Sequence, residues 1–223
     1  MHRAPLKKGK QNKFRNKGQI FLPFLIQKKM KTHTLNNLTR VLLIVCGIAL
    51  VVSIFVPLWS IYLEAPQYPE GLAMYLWANK ITGEYEIING LNHYIGMKTI
   101  HPEDFWEFTV LPYALSFFAL LCFLTAWLNK KTWLYITAVL FMIFGVAFMV
   151  DFWLWEYDYG HNLDPNAAIV VPGMSYQPPL IGYKQLLNFG AYSYPNIGGG
   201  IMFGVALILA ILAFIEFRKI KSV

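Results

Sequence analysis

Four apolar runs divide the chain. They cover about residues 41–62, 108–128, 132–153 and 199–217, each close to the ~20 residues that a helix needs to cross a bilayer. The first run ends in Trp59-Ser60-Ile61-Tyr62, which predicts an aromatic belt at the membrane surface. The runs are too long for the core of a signal peptide, so the first is read as a retained span. The pattern between runs is different. Residues 64–101 and 157–198 form two long polar connections, broken by Pro66, Pro69, Pro165, Pro172, Pro178, Pro179 and Pro195. Within them, Tyr85–Ile88 has strand character, Asn89-Gly90 is a turn signal and Tyr183–Phe189 predicts a short surface helix. Pro102, followed by Glu103 and Asp104, suits the first turn of the helix that leads into the second span. The expected fold is therefore an all-α integral membrane protein. It has four transmembrane helices over residues 39–223, and its two long connections form a small cap.

Charge supplies the orientation. Of the 19 Lys and Arg, sixteen lie in the N-terminal segment, the turn at 129–131 and the C-terminal tail. The two connections hold only Lys80, Lys98 and Lys184, and of the 12 acids only Glu216 falls on the basic side. The positive-inside rule then predicts cytoplasmic termini and an extracytoplasmic cap, in a bacterial inner membrane with the main loops in the periplasm. The basic tail at 1–38 reads as topology rather than as a nucleic-acid site. Within it, Ile20–Ile26 is too short to span, and residues 1–29 read as a poorly ordered tail or an overextended start ahead of Met30. Composition agrees with a membrane class. Residues are 57% hydrophobic and 14% charged, against about 25% charged in soluble domains. Cys46 and Cys122 both lie in apolar runs and read as small buried residues at similar depth.

The candidate chemistry is concentrated in the connections. Asn89–Met97 places His93 and Met97 four residues apart, with Met74 upstream and His101 downstream, and the second connection adds His161 and Met174. Thioether and imidazole suit a soft metal, so these six are candidate copper ligands. The competing reading is that such polar groups satisfy loop backbone and tie the two connections together. All five histidines lie outside the spans, which argues against an intramembrane haem. Phosphate-loop, serine-elbow and zinc motifs are absent, so nothing points to an enzyme. A transporter usually carries charged or broken helices at mid-bilayer. The acids in these spans, Asp151 and Glu216, fall at ends. The rings and acids of the cap offer a docking surface instead, with Tyr68, Tyr94, Asp158, Asp164 and Tyr176 as candidates.

Four stretches carry a resemblance: Ala65–Leu72, Leu91–Met97, Tyr157–Pro165 and Pro178–Gly182. Together they resemble a family of small bacterial membrane proteins encoded in the gene clusters of the atypical (clade II) nitrous oxide reductases. The resemblance runs from about Met30 to the C-terminus and leaves out residues 1–29. It implies an accessory role in nitrous oxide respiration, with the periplasmic copper reductase as partner. The chain would assist copper loading or maintenance, or dock that enzyme at the membrane. A docking subunit without metal is the first alternative, and a small-solute transporter or channel the second.

Overall fold

The computed structural model describes residues 34–221; the readings made for residues 1–29 lie outside them. Among the described residues there are five α-helices and one five-stranded antiparallel sheet, so the expected all-α architecture is wrong. In chain order the elements are α1 (Asn37–Ser53), β1 (Trp59–Ala65), β2 (Tyr68–Leu76), β3 (Ile81–Gly83), α2 (Tyr85–Tyr94), a 3-10 turn (Pro102–Asp104), α3 (Glu107–Leu128), α4 (Lys131–His161), β4 (Gly182–Leu186), β5 (Phe189–Pro195) and α5 (Ile197–Lys221).

Helices α1, α3, α4 and α5 form a bundle in which α1 packs on α3 and α5, and α4 on α5 and α3. Its centre is apolar, with Leu43, Leu50, Leu115, Leu134 and Leu209 fully buried beside the free cysteines Cys46 and Cys122. Outward-facing Val41, Phe117, Leu120, Val146, Leu207 and Phe214 are exposed, as expected of a surface that meets lipid. Three helices, α3, α4 and α5, are long and apolar enough to cross a membrane. The expectation of four spans is corrected at α1, which ends at Ser53 after 17 residues. Pro57 follows within one turn, and a proline there cannot continue the hydrogen-bond ladder. At the end of the bundle away from the sheet, Glu216 is buried and bonded to Lys219 Nζ (2.8 Å), Lys131 Nζ (3.2 Å) and Thr39 Oγ1 (3.2 Å). A carboxylate taken out of water requires such partners.

The sheet has the order β3-β2-β1-β5-β4. Its centre grows directly from the bundle, since β1 follows α1 by five residues and β5 precedes α5 by one. The junction is tight. Gly198 and Gly199 N–H groups donate to Pro57 O (2.8 Å) and Leu58 O (3.1 Å), and a Cβ on Gly199 would sit 2.3 Å from Leu58 O. Only glycine permits that approach. Residues 59–62, expected to close the first span as a helix, are instead paired to Leu76–Ala73 on one side and to Pro195–Tyr192 on the other. Two further expectations are reversed. Tyr85–Ile88 and Asn89-Gly90 belong to α2, and Tyr183–Phe189 contributes β4, not a helix.

One face of the sheet is covered by α2 and by the outer end of α4. Trp59, Ile61, Leu72, Met74 and Ile81 from the strands pack there with Ile88, Ile100, Phe152 and Tyr159. At ~1.5 Å per residue the 31 residues of α4 span about 46 Å, well beyond the ~30 Å of a hydrocarbon layer. Its last ten residues carry Phe152, Trp155 and Tyr159, which pack against the sheet, and so serve as a post for the cap.

Candidate functional site

The side chains singled out from sequence separate into two groups. His93 is exposed near the end of α2, with its ring edge-on to Tyr94. His101 is exposed, its Nε2 2.8 Å from Thr99 Oγ1. His161 stacks on Tyr157 at 4.0 Å, and its Nδ1 lies 3.0 Å from the Tyr157 carbonyl. Met174 is exposed on the loop before β4. Among the described residues no three His, Cys, Asp or Glu gather where they could hold a metal ion. The helical spacing of His93 and Met97 does not align them, because α2 stops at Tyr94 and Gly96 takes φ +82°.

The candidate docking residues are equally divided. Tyr94 is 57% exposed. Asp158 is occupied: Lys98 Nζ donates to it at 2.6 Å, and Asn162 Nδ2 also donates to it. That pair ties the first connection to the second. Asp164 Oδ1 accepts from the Asn166 amide at 2.8 Å, while its own amide donates to Gly96 O at 2.8 Å. Tyr68 is half-buried against the cap cluster, and Tyr176 is buried at 1% exposure.

Met74 and Met97 are brought together. Both line a cavity of about 50 Å³ between the sheet, α2 and α4, whose wall also includes Asn92, Trp155, Glu156, Tyr159, Tyr176 and Pro178. Glu156 is fully buried, and neither of its carboxyl oxygens has a hydrogen-bond partner among the described residues. The Tyr176 hydroxyl is likewise buried without a partner among the described residues. Unpaired buried polar groups are rare because each loses its hydration without recompense. The helix puts the carboxyl there. Phe152, Glu156, Tyr159 and Gly160 recur at the i, i+4, i+7, i+8 spacing and form the one buried stripe of the outer end of α4. The opposite wall comes from the loop between α4 and β4. That loop is seated by Tyr176 N donating to Gly160 O at 2.8 Å.

Burial pushes the Glu156 carboxyl up to about 8, and the charge of Lys184 pulls the other way to a lesser extent. An acid whose folded value exceeds its ordinary 4.5 holds a proton that the unfolded chain releases. Its contribution to stability is therefore complete below about 4.5 and falls as pH rises toward 8, then levels off. Thermal unfolding of the metal-free protein should show this decline, and Glu156→Gln should flatten it. An unchanged slope in the variant would show that other groups carry the dependence.

Glu156 is the residue that the sequence reading passed over, because Asp151–Tyr159 looks like a headgroup-level mixture of rings and acids. The signal was the apolar stripe in which it sits. No family model matches the chain, and comparison with curated proteins finds no match. The fold and this cavity define a membrane-type helical bundle carrying a β-sheet cap.

Proposed function

We propose that this chain is a membrane-anchored accessory protein of a periplasmic copper respiratory enzyme, acting through its cap. The resemblance noted above supplies the identity of that enzyme as nitrous oxide reductase. The charge distribution supports a cap on the periplasmic side of the inner membrane with the termini in the cytoplasm. The observation that carries the docking function is an apolar strip at the outer end of the cap. Tyr94 (57% exposed), Ile169 (48%), Val170 (58%), Val171 (39%) and Met174 (36%) lie on two segments joined by Ile169 N donating to Tyr94 O at 2.9 Å. These residues are level with the last turn of α4, away from the bundle, where Gly96 O accepts from the Asp164 amide. Lipid does not explain their exposure there, whereas a protein partner does. Docking would bring the enzyme to the membrane and hold it beside the soft donors of the cap for copper loading or maintenance.

The test uses the full chain in nanodiscs and purified reductase. Val170→Asp, alone and with Tyr94→Asp, should weaken association at least tenfold, since buried charge at an interface core is costly. Copper content of reductase from cells carrying the same variants should fall in parallel. Lost association with full copper content reduces the role to docking. Association that survives both substitutions overturns the reading.

A further inference from the structure

We propose that the cavity enclosed by the sheet, α2, the end of α4 and the loop before β4 is a binding site for one soft monovalent cation, held by the Glu156 carboxylate and the Met74 and Met97 thioethers. It deepens the metal-handling half of the function proposed above, and rests on that half for the metal being copper(I).

Three observations converge on it. Among the described residues Glu156 finds no partner for either oxygen although it is fully buried, and the Tyr176 hydroxyl, on the wall of the same cavity, is equally unsatisfied. The space is real: about 50 Å³, where a water-sized body needs ~10–15 Å³. Both thioethers that line it reach it from different elements, Met74 from β2 and Met97 from the segment after α2. Charge selects the valence. The entering ion displaces to solvent the proton that the buried Glu156 carboxyl holds, and the resulting carboxylate with one monovalent ion is a neutral pair, which an apolar enclosure tolerates; a divalent ion would leave a net positive charge there. Lys184 is the charged group whose field reaches Glu156, and it is also positive. Ligand type selects softness, because thioethers favour copper(I) and silver(I) and are poor ligands for sodium, magnesium or calcium. The surface histidines are not required.

Silver(I) is the probe, being closed-shell and not redox-active under the conditions used. Equilibrium dialysis of the purified full chain in nanodiscs should give one silver ion per chain, and X-ray absorption should show sulfur scatterers. Met74→Leu with Met97→Leu keeps the volume of the wall and should weaken binding at least tenfold, with the sulfur signal lost. Glu156→Gln should weaken it comparably. His93→Ala with His161→Ala should bind as the parent does. Thermal unfolding followed by tryptophan fluorescence reports whether each variant is folded, independently of any partner. Full binding in both cavity variants, binding lost in the histidine variant instead, or no silver bound by a folded parent overturns the site. If silver binds as described while reductase gains copper normally in the methionine variant, the site stands and the accessory reading of copper supply fails.

Discussion

Gly160→Ala should lift the loop at 162–181 off the end of α4 and open the cap. A Cβ built on Gly160 falls 2.3 Å from both Cα and N of Gln177. Those are backbone atoms, so no side-chain rotation relieves the clash and the loop itself must retreat. Overpacking of this kind costs about 1–3 kcal/mol where neighbours can adjust, and the fixed backbone here places the effect at or above the upper end. The first bond to go is Tyr176 N to Gly160 O. With it the Tyr176 ring and Pro178, which close one wall of the cavity, lose their seat. Hydrogen exchange should rise sharply over residues 165–180 and remain at its original level in the bundle helices. Unchanged protection over that loop would show that the helix and loop separate without consequence.

The same loop has two faces. Its buried side supplies Tyr176 and Pro178 to the cavity, and its exposed side supplies Ile169, Val170, Val171 and Met174 to the apolar strip. A partner seated on the strip therefore touches a wall of the cavity. In Gly160→Ala the silver affinity and the reductase affinity should fall together, whereas Val170→Asp should affect the second alone. That pattern separates a loop that couples two sites from two sites that merely share a neighbourhood.

How much of this was legible in the residues depends on the element. The apolar helices were readable because their signal is long and uninterrupted. Residues 107–128, 131–161 and 197–221 lie close to the expected spans. The sheet was present as an alternation of apolar residues, Trp59-x-Ile61-x-Leu63 and Leu72-x-Met74-x-Leu76, although burial follows it only in part, since Ser60 is buried too and Leu63 and Leu76 are half-buried. It was masked because β1 continues the apolar run of α1, so hydrophobicity averaged over a span-length window carries the helix through Pro57 and into the strand. Asn89 misled in the opposite direction. Its side chain does not make a turn; it bonds the backbone of Ile100 on both sides, donating to O at 2.9 Å and accepting from N at 2.6 Å. A tertiary partner eleven residues away has no local signature. The cavity was half legible: Met74 and Met97 were marked by chemistry, but their meeting depends on a sheet that had not been foreseen. Glu156 was hidden by composition, since acids and rings mix equally at a headgroup layer and in a cap.

Trp59→Ala tests that correction directly and should be the most destabilising single substitution in the cap. A belt tryptophan at the end of a membrane helix faces the headgroups and loses little when truncated. Trp59 is instead 2% exposed, edge-on to Phe152 at 5.3 Å, and its Nε1 donates to Ser193 Oγ at 2.7 Å. Removing it leaves a void where the sheet meets the bundle, at a cost of about 3–5 kcal/mol. It also leaves the Ser193 hydroxyl without its donor, although that group still donates to Leu180 O at 3.1 Å. Trp59→Phe separates the two contributions, because it keeps most of the ring volume and loses the hydrogen bond, for about 1 kcal/mol. Trp127, at 77% exposure, and Trp106, at 65%, supply the contrast. Neither is enclosed, so their alanine variants should change stability by about 0.5 kcal/mol or less. Thermal unfolding followed by tryptophan fluorescence in one detergent reads all four variants on a common scale. Equal and small losses at positions 59, 106 and 127 would return Trp59 to the membrane surface and, with it, residues 59–62 to the end of a helix.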